Sequence, residues 1–103
     1  MEEVVLITVP SEEVARTIAK ALVEERLAAC VNIVPGLTSI YRWQGEVVED
    51  KELLLLVKTT THAFPKLKER VKGRHPYTVP EIVALPSAEG NREYLDWLRE
   101  NTG

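Results

Sequence analysis

Two short apolar runs limit how this chain can fold. Residues 4 to 9 read Val-Val-Leu-Ile-Thr-Val, and residues 53 to 57 read Leu-Leu-Leu-Leu-Val. Neither run alternates apolar with polar residues, as a strand with one wet face does, so each reads as a strand buried on both sides. Both fall far short of the roughly 20 apolar residues that a membrane helix needs. Protein, not lipid, has to provide the cover.

Between these runs the hydrophobic period changes. Pro10 stops the first strand, and Ser11 is a good N-cap with Glu12 and Glu13 in the first turn, where the helix dipole favours negative charge. Val14, Ile18 and Leu22 recur at every fourth residue beside Ala15 and Ala19, which predicts a helix to about Arg26, with Glu12 and Arg16 paired on its outer side. A second strand begins near Ala28 and runs through Val34, where Pro35-Gly36 demands a bulge or a turn. The chain resumes at Ser39-Ile40-Tyr41-Arg42-Trp43, Gln44-Gly45 predicts a hairpin turn, and the leucine run is the return strand, leading into Lys58-Thr59-Thr60. A helix is predicted over 63–72 with Pro65 in its first turn and Gly73 and Pro76 ending it. A short strand over 80–86 is bracketed by prolines. Asn91 caps a last helix whose buried stripe is Tyr94, Leu95 and Leu98, flanked by Trp97.

The order β-α-β-β-α-β plus a C-terminal helix predicts one domain over residues 1–103. Its class is a ferredoxin-like α/β (α+β) sandwich, an antiparallel sheet with two helices on one face and the first and third strands in its centre. Those two strands are the most apolar ones. Two helices cover one face only, and a last helix covers part of the other. Leaving the leucines half exposed on the remainder would forfeit on the order of 1 kcal/mol per side chain. The expected resolution is a homo-oligomer.

Charge and cysteine use narrow the function. A net charge of -3 argues against nucleic acid as a partner, which needs a basic surface. The central runs also lack the aromatic residues of an RNA-binding sheet. Met1-Glu2-Glu3 is acidic where a signal peptide is basic, so a cytoplasmic protein with no membrane partner is the simplest expectation. One cysteine excludes an intrachain disulfide and a multi-cysteine zinc site. No phosphate-cradling glycine loop, nucleophile elbow or His-Glu-x-x-His pair is present, and no feature sets two carboxylates together, so no catalytic residue is assigned. Acylphosphatase-like chemistry would need an arginine on the loop after the first strand, where Pro10-Ser11-Glu12-Glu13 stands.

The residues able to carry chemistry are few. His75 lies between a helix end and Pro76, where an imidazole can ligate a metal, transfer a proton or sit in solvent. Cys30 reads as a small strand hydrophobe, or as a soft ligand for copper. Neither completes a site alone; a carboxylate such as Glu81, or a neighbouring subunit, would have to add donors. Tyr41 and Trp43 share one face of the hairpin and read as interface anchors.

Three stretches, in order, resemble the CutA divalent-cation tolerance family. They are Glu25 to Ile33 with Pro35-Gly36; Ser39 to Gly45 leading into the leucine run and Lys58-Thr59; and His75-Pro76-Tyr77 to Ile82, followed by Pro86, Gly90 and Tyr94 to Leu98. The resemblance implies a ferredoxin-like subunit in a homotrimer whose sheets pair edge to edge, with kinship in architecture to PII-type signalling proteins. It implies a link to divalent metal ions, copper in particular, with no established reaction. A PII-like trimer binding a small metabolite in intersubunit clefts is the alternative. The copper ligands proposed in some members are a first-strand cysteine and two adjacent histidines before Pro-Tyr. The corresponding positions here are Ile7, Arg74 and His75, one ligand type in three. Cys30 and Glu81 match the family pattern and are candidates for an intersubunit cleft with His75.

Overall fold

The computed structural model describes residues 1–87 and 89–103. Among these residues the order is β1 (Glu2–Val9), α1 (Glu12–Glu24), β2 (Cys30–Trp43), β3 (Glu46–Thr60), α2 (Phe64–Arg74), β4 (Ile82–Pro86) and α3 (Arg92–Glu100). The strands form one antiparallel sheet in the order β2-β3-β1-β4, so β1 and β3 are central. This is the ferredoxin-like arrangement that the sequence predicts.

Local chemistry accounts for the element ends. The Ser11 hydroxyl accepts the Val14 N–H at 3.2 Å, and Glu12 pairs with Arg16 at 3.1 Å. Helix α1 stops earlier than its apolar spacing implies, because Arg26 takes a positive φ of 58°. The N–H groups of Arg26 and Leu27 bond back to the Val23 and Leu22 carbonyls at 3.1 and 2.9 Å, a Schellman closure with arginine where glycine is usual. The Arg26 guanidinium offsets the backbone cost by donating to the carbonyls of Gly103 and Glu100 at 2.7 and 2.5 Å. Helix α2 runs through Gly73 to Arg74, further than glycine alone suggests, and His75 is its C-cap.

Residues directly opposite in an antiparallel ladder share a face. Val5, Ile7 and Val9 of β1 lie level with Val57, Leu55 and Leu53 of β3, and this face meets Ile18, Leu22, Leu67 and Val71 of the two crossover helices. Helix α3 lies on the second face at the Glu2 end, where Arg99 pairs with Glu2 at 2.7 Å and Leu98 is buried. The predicted stripe is only partly right: Tyr94 is 41% exposed and packs against Trp97, with ring centroids 5.5 Å apart. Beyond α3 the second face stays open, with Val34, Val83 and Leu85 at 37%, 46% and 47% exposure.

Strands β2 and β3 are longer than their apolar runs. Past Leu53, which pairs with Val9, residues 37–43 and 46–52 pair only with each other. They form an arm that stretches the molecule to 44 Å, against 25 and 23 Å in the other directions. Its tip is the predicted Gln44-Gly45 turn, with both φ values positive at 48° and 82°. Pro35-Gly36 is a bulge and not a turn. Val34 faces Leu54 and Leu37 faces Glu52, so β2 carries one extra residue and Gly36 takes a φ of 83°.

Candidate functional site

The segment from His75 to Glu81 carries the chain from α2 across the end of the sheet to β4. Together with the arm it borders a pocket of about 690 Å³. Tyr41, Trp43, Asp50 and Glu52 enter from the arm, Thr8 from the end of β1, and Tyr77, Val79 and Glu81 from the connecting segment. The bulge makes this possible. Its extra residue turns Ser39, Tyr41 and Trp43 onto the face of Asp50 and Glu52, where unbroken pairing would have put Ile40 and Arg42.

Hydrogen bonds tie the pocket together. Glu52 is only 7% exposed, and its Oε2 accepts the Tyr77 hydroxyl at 2.7 Å. The Tyr41 hydroxyl donates to Asp50. Burial and the bond to Glu52 push the Tyr77 phenol well above its ordinary value, and the bond to Asp50 raises Tyr41. Both therefore remain neutral donors at physiological pH. No Lys, Arg or His lines the pocket, and none of Asp50, Glu52 and Glu81 joins an ion pair among the described residues.

His75 sits behind this wall, 8% exposed. Its Nδ1 accepts the Tyr77 backbone N–H at 3.2 Å, which assigns the proton to Nε2, and Nε2 donates to the Thr8 carbonyl at 2.8 Å. The ring packs against Tyr77 at 4.6 Å between centroids. Both nitrogens are thus engaged. Cys30 lies elsewhere, half-buried at the α3 end of the second face. Its neighbours are Asn32, 4.0 Å from Sγ, and Tyr94, whose phenol is raised by burial and by Cys30. Lys58 donates to the same Asn32 side chain.

His75, Cys30 and Glu81 are therefore not brought together within one chain. Cys30 is level with Val4 across the sheet, whereas Glu81 adjoins Ile82, which pairs with Ile7, a separation of at least roughly 10 Å along the strands. Among the described residues, no three His, Cys, Asp or Glu side chains are grouped closely enough to hold a metal ion. Tyr41 and Trp43, expected to be interface anchors, wall the pocket and are 41% and 45% exposed. Asp50 and Glu52 escape a reading based on apolar runs. The available signal was parity: Glu52 continues the Leu54–Leu56 face, so its side chain enters a covered surface.

The sequence profile of the CutA1 divalent ion tolerance protein matches residues 3–101. The chain belongs to the CutA family. It is 96% identical to the divalent-cation tolerance protein CutA of Thermus thermophilus over the full length of both chains. A solved structure of the Thermus thermophilus divalent cation tolerance protein, also 96% identical, superposes with a TM-score of 0.98 and full coverage of both chains. Human protein CutA is 50% identical over 96 residues, 93% of this chain and 54% of its own length. That Thermus thermophilus structure thus shares the sheet and arm described above. Among the described residues no helix is long and apolar enough to cross a membrane.

Proposed function

We propose that this CutA protein is a cytoplasmic homotrimer that confers tolerance to divalent cations by binding them weakly, without catalysing a reaction. The observation that carries this reading is the pocket, where Asp50, Glu52 and Glu81 stand with no basic side chain among them. Carboxylates without countercharge attract cations, and a relative 96% identical is named for divalent-cation tolerance. Among the described residues no three ligand side chains of one chain are grouped to hold a metal, so binding draws on donors from a second copy or from water. Glu81, exposed at the pocket, is the sequence candidate best placed to contribute. Cys30 can contribute only to a site completed by a neighbour, and His75 only after giving up Thr8 or Tyr77. Copper is the cation to test first.

Two unpartnered features support assembly. The arm is a two-stranded ribbon, which is marginal in water unless something packs on it, and it exposes Ile40 and Val47 at 67% and 68%. The open second face displays Val83 and Leu85. We assign both to contacts between subunits, with Tyr41 and Trp43 at the rim.

Light scattering on the purified protein is expected to give three times 11.6 kDa. Calorimetric titration with copper in chelator-free buffer is expected to show saturable binding that weakens in Glu81→Ala and Cys30→Ala. A monomer, or absence of copper binding, overturns the corresponding half of the proposal.

A further inference from the structure

We propose that the pocket between the arm and the 76–81 segment is a binding site for a small organic ammonium ion. This goes beyond divalent-cation tolerance and uses one chain's own residues.

Three observations converge on a ligand of this class. The volume, about 690 Å³, lies in the range of small-molecule sites and far exceeds what a bare ion needs. The walls combine three aromatic side chains, Tyr41, Trp43 and Tyr77, with the carboxylates of Asp50, Glu52 and Glu81. Aromatic faces with nearby carboxylates suit a weakly hydrated organic cation, which gains from the ring quadrupoles and from the charge together. The third is Glu52. It is 7% exposed, it lines the pocket, and its carboxylate accepts the Tyr77 hydroxyl and no other donor among the described residues. A buried carboxylate without a countercharge is costly to maintain. A cation entering the pocket would offset that cost.

The same features disfavour a small metal ion in one chain. Calcium and magnesium take six or more oxygen donors at about 2.0–2.6 Å. The described residues provide no group of three suitable side chains. The Tyr77 and Tyr41 hydroxyls already hold oxygens of Glu52 and Asp50. An ammonium ion needs one free carboxylate oxygen and apolar contact around it, and the pocket provides both.

The test uses the assembled protein carrying Trp97→Phe, which leaves Trp43 as the single tryptophan reporter. Trp43 fluorescence is followed while choline, or its uncharged carbon isostere dimethylbutanol, is added. The expected result is a saturable change with choline and binding weaker by about tenfold or more for the isostere, which corresponds to roughly 1.4 kcal/mol. Glu52→Gln is expected to lose choline binding by a similar factor. If that variant does not assemble, Glu81→Gln, altered at an exposed position, is expected to weaken choline several-fold with the oligomer intact. Equal response to choline and dimethylbutanol, or no saturable response to choline, overturns the proposal. A parallel calorimetric titration with copper keeps the two ideas apart. Choline binding without copper binding removes the tolerance reading alone, and copper binding without choline binding removes this inference alone.

Discussion

Replacing His75 with alanine separates a structural histidine from a metal ligand. The substitution strips the Thr8 carbonyl and the Tyr77 N–H of their partners at 2.8 and 3.2 Å. A buried polar group left unpaired costs about 1–3 kcal/mol. Thr8 is 9% exposed and bears the fuller cost, whereas Tyr77 is only half-buried and bears less. Loss of the ring contact with Tyr77 at 4.6 Å adds about 0.5–1.5 kcal/mol. The expected total is about 2–5 kcal/mol, at the low end if water enters the vacated space. Guanidinium unfolding at one fixed protomer concentration, with chelator present, reads this directly, because mass action would otherwise shift the midpoint of an oligomer. His75→Gln is expected to recover part of the loss, since its amide can still donate toward Thr8. If His75→Ala unfolds within about 0.5 kcal/mol of the parent, the scale of an ordinary surface change, while copper binding disappears, His75 is a ligand and not a structural residue.

Other consequences are equally open to measurement. All three tyrosines have raised phenols, Tyr77 by burial and Glu52, Tyr41 by its bond to Asp50, and Tyr94 by burial and Cys30. The unfolded chain releases these protons near pH 10 while the folded chain keeps them, so their contribution to stability is complete below pH 10 and falls as pH rises above it. Phenolate absorbance is expected to appear together with loss of helical circular dichroism, and normal titration with intact structure would contradict this. Arg26→Gly relieves the left-handed backbone by about 1 kcal/mol but removes the bonds to Gly103 and Glu100; thermal melts are expected to show a net change under about 1 kcal/mol and faster amide exchange in α3. Ile40→Glu with Val47→Glu, two exposed positions on the arm, is expected to yield monomers by light scattering without disturbing the core, and a persistent trimer would remove the arm from the interface.

Much of the fold was legible because local signals and topology agree. The two double-sided apolar runs became the central strands, Ser11 and Asn91 became N-caps through bonds of 3.2 and 3.1 Å, and Gln44-Gly45 became the hairpin turn. The ends of elements were less legible where distant groups intervene. Arg26 closes α1 in a conformation that its own side chain disfavours, because the C-terminal residues lie where its guanidinium can reach them. The candidate site was legible in part. The sequence singles out His75 between a helix end and Pro76, and Glu81 within the strand predicted over 80–86, whereas β4 begins at Ile82; it does not show that Thr8 and Tyr77 occupy both imidazole nitrogens. Asp50 and Glu52 read as ordinary surface acids until the pairing with β2 is known.

That pairing also links the proposed assembly surface to the proposed binding site. Along β3 the even positions Lys58, Leu56, Leu54, Glu52 and Asp50 share the second face. The face is covered by α3 at one end, is open and apolar in the middle, and becomes the acidic pocket at the other. Without the extra residue at Pro35-Gly36, the outer half of β2 would present Ile40 and Arg42 to this face. Arg42 would then neutralise the carboxylates, while Tyr41 and Trp43 would point to the opposite side. The bulge keeps the arginine off the pocket, puts aromatic rings beside the acids, and leaves Val47 exposed on the outer side, with Ile40 at the pocket's edge. One inserted residue in one edge strand thus decides which side chains of the arm face the proposed binding pocket. Removing Gly36 is therefore expected to disturb the acidic pocket and the outer side of the arm together.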